Sequence, residues 1–117
     1  MKVHLKRKNN SFHLQATGSD DYAVDMDASP EIGGEGKGTR PMELLLMSIG
    51  GCASIDFGLI LKKQKQDLID YSLEVSGERN SEASKALKSV ELNFILEGDL
   101  DLHKVELSKT VPSIKVP

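Results

Sequence analysis

The sequence predicts an α+β fold in which antiparallel sheets wrap around one long, apolar central helix. Two observations carry this. Apolar and polar residues alternate over residues 3–16, 22–26, 71–77 and 90–96, the period of half-buried strands. Between them, Leu44 to Leu61 is apolar on nearly every side and too long for a strand. A chain of 117 residues with 38% hydrophobic side chains suits one domain with a modest core. Aromatics make up only 4%, with no Trp, so Leu, Ile, Val and Met supply most of the burial. A chain this short gains from sharing its core with a second copy.

Each element has a local reason. Val3, Leu5 and Arg7 alternate with His4, Lys6 and Lys8, and Phe12, Leu14 and Ala16 alternate with His13 and Gln15. Asn9-Asn10 tolerates positive backbone angles, so a two-residue turn there predicts a hairpin pairing Leu5 with Leu14 and Arg7 with Phe12. Gly18-Ser19-Asp20-Asp21 is the next turn, and Tyr22, Val24 and Met26 form a third strand. From Asp27 to Thr39 the alternation stops, and Gly33-Gly34-Glu35-Gly36-Lys37-Gly38 predicts a long surface loop.

Pro41 fits the first helical position and Glu43 the first turn, where unpaired amides favour an anion. Arg40 caps poorly, which moves the expected helix start to Thr39. The helix should run to about Gln66, with one stripe of Leu45, Ile49, Cys52, Ile55 and Leu59 and another of Leu46, Ala53, Phe57 and Ile60. A helix without a polar face needs sheet or another chain around it. Gly50-Gly51 either divides it or admits a close neighbour. Tyr71, Leu73 and Val75, then Val90, Leu92, Phe94 and Leu96, predict two further strands joined through residues 80–88. Leu102, Val105 and Lys109 sit at helical spacing; Pro112 ends that pattern, leaving no clear closing element.

Composition excludes several function classes. The formal net charge is -3 with both signs mixed, which is no nucleic-acid footprint. Lys62, Lys63 and Lys65, followed by Asp67 and Asp70, form a solvated helix end. The charged amino terminus lacks the apolar core of a secretory leader, and Ser48, Gly50, Gly51, Ser54, Asp56 and Gly58 interrupt the apolar run, against a membrane span. One cysteine cannot form an internal disulfide and fits a reducing cytoplasm. The glycine loop lacks phosphate-loop spacing, and His4, His13 and His103 make no metal set, so neither cofactor nor metal is expected.

Cys52 is the residue with chemistry to offer. Burial as a small hydrophobe is the common fate of a lone cysteine in an apolar stripe. The alternative is a nucleophilic thiolate, helped by fresh backbone N–H groups if the helix breaks at Gly50-Gly51, or by a cation if it does not. Arg40, Glu43, Asp56 and Arg7 are the candidate partners. Asp56 lies one turn beyond Cys52, and an Asp in so apolar a helix requires a partner or water. Glu43 lies two and a half turns before Cys52 and bears on it only through an arginine that reaches across.

The segment from Arg40 to Asp56, with its Pro-Met-Glu-Leu opening and Gly-Gly-Cys centre, resembles the OsmC/Ohr-like family of thiol-dependent peroxide-resistance proteins. Ile60-Leu61-Lys62-Lys63, Glu31-Ile32-Gly33-Gly34, Val75-Ser76-Gly77-Glu78-Arg79 and Leu92-Asn93-Phe94-Ile95-Leu96-Glu97-Gly98 also fit, so the similarity covers roughly residues 22–108. The resemblance implies a single OsmC-like domain over residues 1–117, shortened or altered at its carboxyl end, and an intertwined homodimer. It implies catalysis by Cys52, with an arginine (Arg40 or Arg7) and a glutamate (Glu43) beside a peroxidatic thiolate that reduces an organic hydroperoxide. Three departures stand out. Met42 occupies the place of the family glutamate, and Glu43 comes one residue later, turned by about 100°. Neither arginine matches the family position cleanly. The second, resolving cysteine is absent, so turnover requires an external thiol. The competing expectation is a non-enzymatic dimeric module that binds a small apolar ligand, with Cys52 as packing.

Overall fold

A computed structural model of the chain describes residues 1–67, 70–79, 87–98 and 114–115. The elements follow in the order β1 (His4–Arg7), β2 (Leu14–Thr17), β3 (Ala23–Met26), a 3-10 turn (Pro30–Ile32), α1 (Pro41–Lys63), β4 (Asp70–Arg79), β5 (Leu87–Glu97) and β6 (Ile114–Lys115). The chain divides into two compact units, Met1–Leu45 and Leu46–Pro117, with the boundary inside α1.

The first unit is an antiparallel sheet in the order β1-β2-β3, followed by a glycine-rich strap. Leu5 pairs with Ala16 and Arg7 with Leu14, two residues away from the register that an Asn9-Asn10 turn would impose. The hairpin loop is longer because Asn9 caps it from inside: its Oδ1 accepts from the backbone N–H of Ser11 at 2.9 Å and of His13 at 3.2 Å. A slip of two residues, unlike a slip of one, keeps every side chain on its expected face. Leu5, Ala16 and Val24 therefore share one row, and Arg7, Leu14 and Met26 the next. Phe12 lies in the loop, over the strap, where its ring would stand 3.2 Å from a Cβ built on Gly33. Gly33 itself has a φ of 111°, which closes the 3-10 turn and which other residues rarely adopt.

In the second unit, β4 and β5 form a long antiparallel ribbon, with β6 parallel to β5 through Phe94↔Ile114 and Ile95↔Lys115. The residue pattern did not mark β6 as a strand. Tyr71, Leu73 and Val75 pair with Leu96, Phe94 and Leu92, so one ribbon face is continuously apolar. α1 lies on this face. Leu46 sits over Gly77, and Gly50 meets the side chains of Val75 and Leu73; Phe57 then stacks near Phe94 and Tyr71, at centroid distances of 4.8 and 6.0 Å. Phe57, Leu61, Leu92, Phe94 and Leu96 are buried together, with Ile49, Ala53, Tyr71, Leu73 and Val75 packed around them.

α1 does not break at Gly50-Gly51. Gly50 is the close-approach position, since a Cβ there would come within 2.8 Å of Val75, whereas Gly51 faces open space. The helix starts at Pro41, not Thr39: the Arg40 carbonyl accepts from Leu44 N–H at 3.0 Å, while Thr39 is held in a ladder with Asp25 and Asp27. It ends at Lys63 rather than Gln66. Lys65 adopts a φ of 55°, and the N–H groups of Gln66 and Lys65 turn back to the carbonyls of Leu61 and Lys62. That pairing satisfies the last carbonyls, and Lys62 and Lys63 complement the negative end of the dipole. Residues 80–86, and the helical pattern over Leu102, Val105 and Lys109, lie outside the described residues.

Candidate functional site

Of the two apolar stripes on α1, the one containing Leu46, Ala53 and Phe57 packs on the β4-β5 ribbon. The other is open in the isolated chain except at Ile49, which packs against the buried cluster: Leu45, Ile55 and Leu59 are exposed, at 45%, 67% and 61%. Only Gly50, Phe57 and Leu61 of α1 are fully buried. By length and composition the helix could cross a bilayer. One of its faces is nevertheless committed to an apolar ribbon, and the charged Asp56 stands exposed elsewhere on the helix.

Cys52 belongs to the open stripe and is an exposed free thiol. In the single chain it is no part of the buried cluster. The unbroken helix also removes one expected aid: the amides preceding Cys52 belong to the helical ladder and do not form a fresh amino terminus.

Arg40 and Glu43 are brought together at the mouth of α1, with Nη1 3.9 Å from Oε1, an exposed i,i+3 pair. Glu43 and Cys52 lie nine positions apart in α1, a rise of about 14 Å along the helix. Arg7 ends β1, exposed, in register with Leu14. Asp56 is exposed.

Two acidic residues missed at the level of sequence dominate the electrostatics of the first unit. Asp27 is the only buried charged side chain among the described residues, at 2% exposure. Its Oδ1 accepts from Ala28 N–H at 2.8 Å, and its Oδ2 from the N–H groups of Glu35 and Lys37, both at 3.1 Å. Burial acts to raise its pKa, but the three amide donors and the neighbouring His13 outweigh burial and hold the carboxyl below its ordinary value. Asp25 is also held low, chiefly by the 2.8 Å hydrogen bond between its Oδ1 and His13 Nε2, with Gln15 adding a longer one. An Asp at the entrance to a glycine-rich run, where bare amides abound, is the signal that could have marked Asp27.

An antiparallel ribbon packed under a long apolar helix defines a protein of the α+β class, and this helix presents a free thiol on its other face. Residues 34–114 match the family model described as OsmC-like protein, and the chain belongs to that family. Protein YhfA of Escherichia coli K12 is 37% identical over 75 residues, covering 64% of this chain and 55% of that protein; the match spans about half the length of this curated relative. Among solved structures, the OsmC-like protein from Mycoplasma pneumoniae has a TM-score of 0.76 at 18% identity, covering 99% of this chain and 93% of that one. An organic hydroperoxide resistance protein from Elizabethkingia anophelis has a TM-score of 0.64 at 14% identity, covering 99% and 92%. These structural likenesses establish the α+β fold, with its antiparallel sheets and long apolar helix.

Proposed function

We propose that this chain reduces organic hydroperoxides through Cys52 and works as a homodimer. The observation that carries the reading is the exposed thiol set among exposed apolar side chains, Ile55 and Leu59, on a helix whose opposite face is anchored. An apolar surround suits the organic part of the substrate. The name of the structural neighbour from Elizabethkingia anophelis supports the same substrate class.

In the first step the Cys52 thiolate attacks the terminal peroxide oxygen. The O–O bond breaks, the alkoxide leaves and takes up a proton as an alcohol, and Cys52 becomes a sulfenic acid. Cys52 is the chain's only cysteine, so an external thiol condenses with the sulfenic acid, releasing water and leaving a mixed disulfide. A second external thiol then frees Cys52 and departs as the oxidised disulfide. Arg40, held by Glu43, would stabilise the thiolate and the departing alkoxide. Because about 14 Å of helix separates Glu43 from Cys52 in one chain, this reading draws the guanidinium from the second copy. The same second copy would cover the open stripe of α1 and the row of Leu5, Ala16 and Val24, of which Leu5 and Val24 are exposed.

The test is consumption of cumene hydroperoxide by the reduced chain with excess dithiothreitol, with dimedone trapping of the sulfenic acid and gel filtration alongside. Wild type should turn over and elute at the mass of two chains, and Cys52→Ser should lose turnover and trapping. Equal rates for wild type and Cys52→Ser would overturn the peroxidase reading and favour an apolar-ligand module, whose affinity Cys52→Ser would leave unchanged.

A further inference from the structure

We infer that Asp27 is a positioning residue for Arg40, fastening from inside the strap whose far end carries that arginine. This rests on the proposed function for the catalytic meaning of Arg40, but not for the geometry.

The strap from Ala28 to Thr39 contains Gly33, Gly34, Gly36 and Gly38 and would, as free chain, sample many conformations. Its start, middle and end are all tied down. At the start and middle, both Asp27 carboxylate oxygens are engaged by Ala28, Glu35 and Lys37, residues up to ten positions further on. At the end, Thr39 N–H donates to the Asp25 carbonyl at 3.0 Å and Asp27 N–H donates to the Thr39 carbonyl at 3.1 Å. The next residue is Arg40, whose carbonyl opens α1 and whose guanidinium reaches Glu43. Asp27 thus contributes twice, once by its side chain and once by its backbone, to the same short span.

The close approaches show that this span has little slack. A Cβ on Gly34 would overlap the Ala28 carbonyl oxygen at 1.7 Å, and one on Gly38 would lie 2.4 Å from the Asp25 carbonyl carbon. The hairpin loop adds an outer brace, with Asn9 Nδ2 donating to Glu35 at 2.8 Å and Ser11 Oγ to the Gly33 carbonyl at 2.7 Å. With the side-chain tie removed, the Thr39 ladder and this brace remain. The strap around Glu35 and Lys37 would then relax while the sheet stays folded, loosening one of the two ties on the approach to Arg40.

The experiment uses the full chain with Asp27→Asn and Asp27→Ala. Asn keeps one acceptor and turns an amide donor toward a backbone N–H; Ala keeps none. Site-resolved amide exchange should quicken at Glu35 and Lys37 by about tenfold in Asp27→Ala and by less in Asp27→Asn, with Leu92 and Phe94 unchanged as fold controls. The Arg40 Nε–Hε resonance, assigned with Arg40→Lys, should shift or broaden in both variants. Unchanged exchange and an unmoved Arg40 resonance would overturn the inference, even if peroxide turnover is confirmed. The catalytic consequence is read separately. If Arg40 serves Cys52, Asp27→Asn should lower turnover in the direction of Arg40→Met, and the double variant should be no slower than Arg40→Met alone. A displaced Arg40 resonance with Arg40→Met at wild-type turnover would uphold the positioning by Asp27 and remove Arg40 from the reaction.

Discussion

The two units of this chain are held by different forces. The second, Leu46–Pro117, is organised by apolar contact: Phe57 of α1 and Phe94 and Leu96 of β5 are fully buried in one cluster. In the first, Met1–Leu45, the buried side chains are Met26 and Asp27, and β1 is exposed along its whole length. What orders the first unit is a set of side-chain to backbone hydrogen bonds centred on Asp27 and Asn9. An apolar cluster tolerates dryness and any pH; a caged carboxylate depends on its charge. The unit built on charge also carries Arg40 and Glu43, two of the candidate groups for chemistry.

Four perturbations test this contrast, in descending order of effect. Phe57→Ala should destabilise the chain by about 3–5 kcal/mol in urea unfolding, because it empties the centre of the second unit's cluster. A loss under 1 kcal/mol would mean that the cluster does not organise that unit. Gly34→Ala should cost about 1–3 kcal/mol, since backbone rather than a movable side-chain tip blocks the added methyl. Amide exchange should place that loss in the strap.

Acid provides the third. Folding lowers the pKa of both Asp25 and Asp27. Their stabilising contribution is therefore whole above the unfolded carboxylate value of about 4, and it is lost as pH falls below that toward the lower folded values. His13, Gln15 and Lys8 also bear on Asp25, and His13 on Asp27. Exchange at Glu35 and Lys37, corrected for intrinsic rates, should accelerate below about pH 4 before the amides of Leu92 and Phe94 respond. Simultaneous loss in both units would erase the distinction. Last, Asn9→Ala should cost about 1 kcal/mol, by removing the loop cap and the brace to Glu35.

Much of the second unit was legible because its order is periodic. Alternation at Tyr71, Leu73 and Val75 and at Leu92, Phe94 and Leu96 states which face is apolar, and the stripe with Leu46, Ala53 and Phe57 states which side of α1 covers it. The Gly50-Gly51 pair was ambiguous for a physical reason: adjacent helical residues point about 100° apart, so one glycine meets the ribbon while the other meets solvent. The hairpin slipped by two residues because a side chain, Asn9, set the loop length, and no alternation rule contains that. Asp27 stayed hidden because its partners, Glu35 and Lys37, are defined by a tertiary fold of the strap. For the candidate site, the sequence proposed Cys52, Arg40, Glu43 and Arg7; the structure pairs Arg40 with Glu43 and leaves the thiol exposed on its helix.

The caged strap has a consequence for cleavage. Four glycines within six residues, with Lys37 among them, would in most chains be an easy target for trypsin. Here the Lys37 amide is bonded to Asp27, and Thr39, two residues on, is laddered to Asp25, so the protease cannot draw this span into its cleft until both ties let go. The rate of nicking after Lys37 thus becomes a clock for how often the carboxylate cage opens.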